Sequence, residues 1–170
     1  MAMRPRNKPL KENIIMKLNQ QFITAVILIV SFATAAFAKA PHVEVDKNSV
    51  ILAGYDAVAY FTQNAAVEGN AEFTATHNGA IYRFSSAKNR DLFSKNPAKY
   101  EPQYGGFCAY GAALGKKFEV NGKAFEIVDG KLYVNKNEDV YEVWVEDKAE
   151  NIVEADKQWV SIENVPAAKL

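Results

Sequence analysis

The chain has 170 residues, with 20 basic and 20 acidic side chains and therefore no formal net charge at neutral pH. These charges are interspersed and form no basic patch, which argues against a protein that binds nucleic acid. The single cysteine, Cys108, excludes an internal disulfide, so the hydrophobic core alone must stabilise the fold.

Residues 1–38 are predicted to be a secretory signal peptide. Lys17 supplies positive charge, an apolar stretch follows over 22–37, and the small residues Ala36 and Ala38 form a cleavage site. The apolar stretch is short for a membrane span of about 20 residues. We therefore expect cleavage after Ala38, no stable membrane span afterwards, and an exported protein that is periplasmic or secreted. Met16 is an alternative true start.

The rest of the chain is long enough for one domain. We expect a polar lead-in at 39–49, a domain at 50–163 and a short tail at 164–170. Within the domain, the apolar run 50–53 predicts a short strand. Asp56 is then placed to cap a short helix over 57–61, since its carboxylate can accept the first backbone N–H groups.

A β-hairpin is predicted next, with strands at 73–77 and 80–84. Asn78-Gly79 joins the two runs, and this dipeptide favours the tight turn in which both residues need positive φ. Ser85 or Ser86 can then begin a helix that ends near Ser94, because Asn96-Pro97 cannot continue it.

The second half is predicted to hold another hairpin and two helices. Residues 107–110 follow two glycines and form either a strand or a tight helical turn. Strands are expected at 124–128 and 132–135, around a turn at 129–131. Apolar residues then repeat at helical spacing in two segments; these are Val140, Val143 and Trp144, and then Ile152, Ala155 and Trp159. Short strands and helices without a βαβ rhythm predict an α+β class, a small single domain with two short β-hairpins packed against several helices.

Five motifs carry a family resemblance. They are G-Y-D-A-V-A-Y-F at 54–61, H-x-G-x-x-Y-x-F at 77–84, N-P-x-x-Y-x-P-Q-Y-G-G-F-C-A at 96–109, D-G-K-L-Y at 129–133 and A-D-x-x-W at 155–159. Over residues 50–160 the chain resembles a YHS domain, and the whole chain after the leader resembles the small exported YHS-domain proteins of bacteria. Ala57 stands where the family pattern usually has proline.

The resemblance implies a binding function and raises the question of a metal. YHS modules also occur fused to copper-transporting ATPases, and metal binding is proposed for modules that resemble Y-x-F-C-S-x-x-C. In this chain Ser85 and Asn89 stand where those two cysteines would be. Both thiolates of that site are therefore absent.

Few residues can supply soft metal ligands. A metal site normally needs three or four ligands, and His77 and Cys108 are the candidates, with His42 a weaker one near the start of the domain. Copper or zinc is the metal that such ligands suit. The alternative for His77 is a hairpin-end histidine bonded to the backbone or to water, and for Cys108 a small buried apolar side chain.

The tyrosines offer a second kind of site. Six of them cluster around the family motifs, and a tyrosine that is buried still needs a partner for its hydroxyl. Tyr55, Tyr82 and Tyr104 are the candidates for lining a small-ligand pocket. The alternative is that these rings fill the core and its rim.

The sequence therefore predicts an exported YHS-type binding protein that is not an enzyme. Its ligand would be a metal ion, copper or zinc, or a small molecule near His77 and Cys108. A structural or protein-interaction domain without a ligand is the alternative. A thiol-dependent enzyme, with Cys108 activated by a histidine, is a weaker one.

The leader yields the first testable prediction. Intact-mass measurement on the exported protein should give a chain that begins at Lys39, because signal peptidase reads the small residues at Ala36 and Ala38. The control is Ala38→Phe, which should block this cleavage. A full-length chain recovered from the membrane fraction would contradict the prediction.

Overall fold

Short helices and two hairpins make up residues 42–170, the part of the chain that the structure, a computed structural model, describes. The helices are α1 (Ala57–Gln63), α2 (Ala87–Lys95), α3 (Pro97–Tyr100), α4 (Ala109–Ala113), α5 (Glu138–Glu146) and α6 (Lys148–Ile162). The strands are β1 (Asn70–His77), β2 (Ala80–Phe84), β3 (Phe125–Val128) and β4 (Lys131–Val134). The predicted α+β class is confirmed. The predicted signal peptide lies outside the described residues.

The two predicted hairpins are confirmed, and each is closed by a turn of two left-handed residues. Asn78 and Gly79 have φ values of 48° and 80°, and they join β1 to β2 in an antiparallel pair. Asp129 and Gly130, with φ values of 51° and 73°, join β3 to β4 in the same way. Both residues of such a turn need positive φ, which asparagine, aspartate and glycine tolerate best.

The predicted strand at 50–53 is wrong. Only Val50 makes a bridge there, to Ile81 of β2, and Leu52–Gly54 form a 3-10 turn. Leu52 and Ala53 have φ values of 57° and 51°, in the left-handed region that no strand contains. The turn buries the Leu52 side chain completely, so its burial in the core offsets the backbone strain.

The core has two clusters. The first surrounds α1 and the hairpin β1–β2, with Tyr60, Phe84 and Phe93 among its buried rings. The second joins α4 and α6 and contains the fully buried Trp144. Tyr82 belongs to the first cluster and Tyr104 to the second. In residues 42–170, no helix is long and apolar enough to cross a membrane.

Both ends of the described segment pack on the domain. Val43 and Val45, in the predicted polar lead-in, are buried in the first cluster. At the other end, the Lys117 ammonium donates hydrogen bonds to the carbonyl oxygens of Glu163 and Val165, at 2.6 and 2.9 Å. A cation bonded to carbonyls just beyond a helix C-terminus stabilises that end. The folded unit therefore extends on both sides of the predicted 50–163 boundaries.

A completely buried carboxylate fixes α1 against the hairpin. One oxygen of Asp56 accepts the backbone N–H groups of Val58 and Ala59, as the helix cap predicted from the sequence. The other accepts the Ser85 N–H at 2.8 Å, the Ser85 hydroxyl at 2.7 Å and the Asn89 amide at 2.7 Å. Five donors therefore stabilise this buried charge, as burial of a carboxylate requires.

Removal of this charge should destabilise the whole domain. In Asp56→Asn the amide NH2 would face donors instead of accepting from them, so we expect the free energy of unfolding to fall by about 2–4 kcal/mol. Urea unfolding followed by tryptophan fluorescence measures the change. Asp91→Asn, at an exposed aspartate paired with the neighbouring Arg90, is the matched control and should change stability by less than about 0.5 kcal/mol. Equal stability of Asp56→Asn and the wild type would contradict this account.

Candidate functional site

His77 lies at the end of β1, immediately before the hairpin turn. Its Nε2 is 3.0 Å from a carboxylate oxygen of Glu101, and the same oxygen accepts the Asn78 amide at 3.3 Å. The imidazole also has ring contacts with Tyr82 and Phe93. Within residues 42–170 the hydrogen-bond partner of the His77 imidazole is thus a carboxylate and not the backbone, and the contact joins the end of β1 to the segment after α3.

Cys108 is buried at the beginning of α4, where it caps the helix. Its Sγ accepts the Gly111 N–H at 3.4 Å and donates to the Asn135 side-chain oxygen at 3.5 Å. Burial raises the pKa of the Cys108 thiol, so the neutral form predominates at neutral pH. A neutral thiol is a poor metal ligand and a poor nucleophile.

The two metal-ligand candidates have separate surroundings. His77 and Cys108 share no hydrogen-bond or ring partner. Across residues 42–170, no group of three or more His, Cys, Asp or Glu side chains is arranged to hold a metal ion. Ser85 and Asn89, at the positions where the resemblance would place two cysteines, both donate to Asp56. Their polar groups are therefore engaged in the hydrogen bonds that stabilise that carboxylate.

Two of the three candidate tyrosines line one pocket of about 290 Å³. The pocket joins β2, the segment 101–105 and the C-terminal part of α6. We call it the tyrosine pocket and define it by the aromatic and acidic residues in its lining, which are Tyr82, Glu101, Tyr104, Asp156, Trp159 and Glu163. Tyr55 lies outside the tyrosine pocket and packs against Gly122. A Cβ added at Gly122 would lie 2.4 Å from the Tyr55 ring.

Tyr104 forms a wall of the pocket in a backbone conformation that a bulky residue rarely adopts. Its φ and ψ are 54° and 35°, and Gly105 and Gly106 after it also have positive φ. Its hydroxyl is 2.9 Å from a carboxylate oxygen of Asp156, to which it donates a hydrogen bond across to α6. Strain of this kind persists only where surrounding contacts enforce it, and it is concentrated at functional sites.

Gly105 allows the chain beside Tyr104 to approach the start of the described segment. A Cβ at Gly105 would lie 1.7 Å from the carbonyl oxygen of His42, and the Gly105 carbonyl accepts the Glu44 N–H at 2.8 Å. Any side chain at this position would collide with backbone. His42 itself lines the pocket, so this close approach brings the weaker soft-ligand candidate to the pocket rim.

The Tyr82 side chain forms another wall of the pocket. Its side chain is buried, with 3% exposed, and its ring centroid lies 4.3 Å from that of Phe93. Among the residues described, no donor or acceptor bonds to the Tyr82 hydroxyl. Burial, with the nearby Glu101 charge, raises the pKa of Tyr82 and keeps the phenol neutral. Because Tyr82 lines the pocket, its hydroxyl can form a hydrogen bond with a molecule that enters there.

The acidic residues and the tryptophan of the pocket were not among the sites predicted from the sequence. Asp156 and Trp159 appeared only as part of a family motif. Their spacing, with Glu163 four residues further on, places all three on one face of α6. That periodicity was available in the sequence, but only the fold shows that this face meets Tyr82 and Glu101.

Comparisons of the chain with protein-family models, with curated proteins and with solved structures found no match in any of the three. The function is therefore inferred from the residues and their geometry. The resemblance to YHS domains stays a prediction from the motifs.

The buried thiol gives a prediction of its own. In the native protein at pH 8, we expect Cys108 to react with 5,5′-dithiobis(2-nitrobenzoate) on the order of 100-fold more slowly than in concentrated urea, because labelling must wait for local opening. Release of the coloured thiolate measures both rates. The urea-unfolded protein is the control for intrinsic reactivity. Equal rates would show an accessible thiol and would revive Cys108 as a metal ligand or nucleophile.

Proposed function

We propose that the chain is an exported small-ligand-binding module of the YHS type, and that its ligand binds in the tyrosine pocket. One observation carries this proposal. Tyr82 and Tyr104 lie in different core clusters, yet both line the same pocket, and the Tyr82 hydroxyl has no hydrogen-bond partner within residues 42–170. Concave sites with a few convergent polar groups among aromatic rings are typical of ligand pockets.

The size of the pocket restricts the ligand. Pockets for drug-sized ligands range from about 300 to 1,000 Å³, and this pocket, at about 290 Å³, is at the lower limit. The ligand is therefore a small molecule or the end of a longer one.

A metal ion bound by His77 and Cys108 has weaker support. The raised pKa of the thiol opposes the thiolate that a metal needs, and His77 is paired with Glu101. A thiol enzyme has weaker support for a similar reason, because the side-chain partner of Cys108 is Asn135, which cannot act as a base.

A protein-interaction domain is the second candidate, and it is favoured by apolar side chains on the surface of α6 and beside it. Val153 and Val160 are 68% and 85% exposed, seven residues apart on the same helix. Leu114, just after α4, is 58% exposed. Exposed apolar residues that cluster indicate contact with a partner more than single ones do.

The proposal includes export of the protein, because residues 1–38 have the pattern of a secretory signal peptide. Signal peptide and cleavage site fall within residues 1–41, outside the described segment, so the support comes from the sequence alone.

A fragment screen by protein-observed NMR tests the proposal. Equal numbers of cationic, neutral and anionic fragments are added to the isotope-labelled protein, and backbone amide shifts are recorded. We expect some fragments to shift resonances of Tyr82, of 101–105 and of 156–163 together. Tyr82→Phe, which removes only the hydroxyl, should weaken the best such fragment about threefold to tenfold by loss of one hydrogen bond.

Tyr110→Phe is the matched control, since Tyr110 does not line the pocket, and it should leave the affinity unchanged. Absence of any fragment that shifts the pocket resonances would overturn the proposal. Copper or zinc binding that is lost in both His77→Ala and Cys108→Ser would establish the metal hypothesis in its place.

A further inference from the structure

We infer that the tyrosine pocket selects a small organic cation, an alkylammonium group on a short carbon chain. This inference rests on the proposed function, because it names the ligand class of the same pocket.

The charge of the lining supports a cation. Three carboxylates, Glu101, Asp156 and Glu163, line the pocket, and among the residues described no lysine or arginine lines it. The Lys117 ammonium lies 5.0 Å from the Trp159 ring centroid and donates to the Glu163 carbonyl. This charge offsets that of Glu163 in part. Glu101 and Asp156 keep the pocket negative, which favours a cation and repels an anion.

Glu101 and Asp156 each have a carboxylate oxygen that can accept a hydrogen bond from a ligand. Asp156 uses Oδ1 for the Tyr104 hydroxyl, and Glu101 uses Oε2 for His77 and Asn78. Within residues 42–170, no hydrogen bond reaches Oδ2 of Asp156 or Oε1 of Glu101. The existing bonds hold each carboxylate in place, so that the second oxygen is preorganised.

The Tyr82 side chain, which is 3% exposed, lines the pocket and makes no hydrogen bond within residues 42–170, is a second and independent indication of a ligand. It is a neutral phenol beside Glu101, and its oxygen can accept an N–H from an ammonium group. An ammonium ion carries donors and no acceptors, which matches the acceptor oxygens of Tyr82, Glu101 and Asp156. The three acidic side chains and the lack of lysine and arginine in the lining therefore favour a cation over an anion.

Aromatic rings complete the match. Tyr104 and Trp159 have ring centroids 5.8 Å apart on the pocket wall, and the Trp159 ring already attracts the Lys117 ammonium. Electron-rich ring faces stabilise alkylammonium groups, including those with no N–H to donate. The cation could reach the pocket as a free amine or as the side chain of a peptide lysine, since both present the same chemistry.

The test compares molecules of one shape and different charge. Choline, its neutral isostere 3,3-dimethylbutan-1-ol and the anion 3,3-dimethylbutanoate are titrated into the whole protein at pH 8 and low ionic strength. Shifts of the pocket resonances give each affinity. We expect choline to bind about tenfold or more tightly than the alcohol, because only the cation gains from the rings and the carboxylates. The anion should bind least.

Variants assign the selectivity to the pocket. Asp156→Asn and Glu101→Gln keep the size of each side chain and one acceptor oxygen but remove the negative charge, and each should lower the choline affinity about threefold to tenfold. Glu150→Gln removes a charge from the same helix α6 outside the pocket and should change nothing. Because Glu101 and Asp156 lie on separate elements, misfolding of one variant leaves the other as a test.

The outcomes separate this inference from the proposed function. Equal or tighter binding of the alcohol or of the anion at the pocket would overturn the choice of a cation and leave a ligand pocket. Absence of shifts with every probe and every fragment would overturn both. A further titration with Nα-acetyl-lysine methylamide distinguishes the sources, since tighter binding than choline indicates a peptide lysine and weaker binding a free amine.

Discussion

The buried Asp56 carboxylate is the interaction on which the other parts of the domain depend. Its five donors come from the first turn of α1 and from the junction between β2 and α2. A single side chain thus fixes the helix, the hairpin and the next helix relative to one another. Because β2 carries Tyr82, the position of one wall of the tyrosine pocket follows from this carboxylate.

The same carboxylate gives Ser85 and Asn89 a structural purpose. In a metal-linked module of the resembling family, two thiolates at these positions would need a cation between them. Here hydroxyl and amide groups donate protons to an anion, so the local electrostatics are reversed. These hydrogen bonds satisfy the buried charge of Asp56.

Local signals explain why much of the fold could be predicted from the sequence. Asp56 caps the helix that immediately follows it, and Asn78-Gly79 and Asp129-Gly130 form turns between the strands they separate, so each signal lies within a few residues of its effect. The strand at 50–53 was wrong because positive φ at Leu52 and Ala53 is imposed by packing, and neither residue type indicates it. The pocket could be predicted only in part for a related reason. Tyr82 and Tyr104 were chosen from their motifs, but Glu101, Asp156 and Glu163 join them through contacts between distant segments, and Tyr55 has the same motif character while packing elsewhere.

Tyr104 combines a backbone conformation that costs stability with a side chain that forms a wall of the tyrosine pocket. A left-handed tyrosine costs on the order of 1 kcal/mol that glycine would not, although its hydroxyl bond to Asp156 returns part of this. Glycine or asparagine at this position would adopt the left-handed conformation at lower cost, but either residue would replace the tyrosine ring of the pocket wall with a smaller group. The strained residue therefore supplies a ring and a hydroxyl to the pocket wall, which neither glycine nor asparagine could supply.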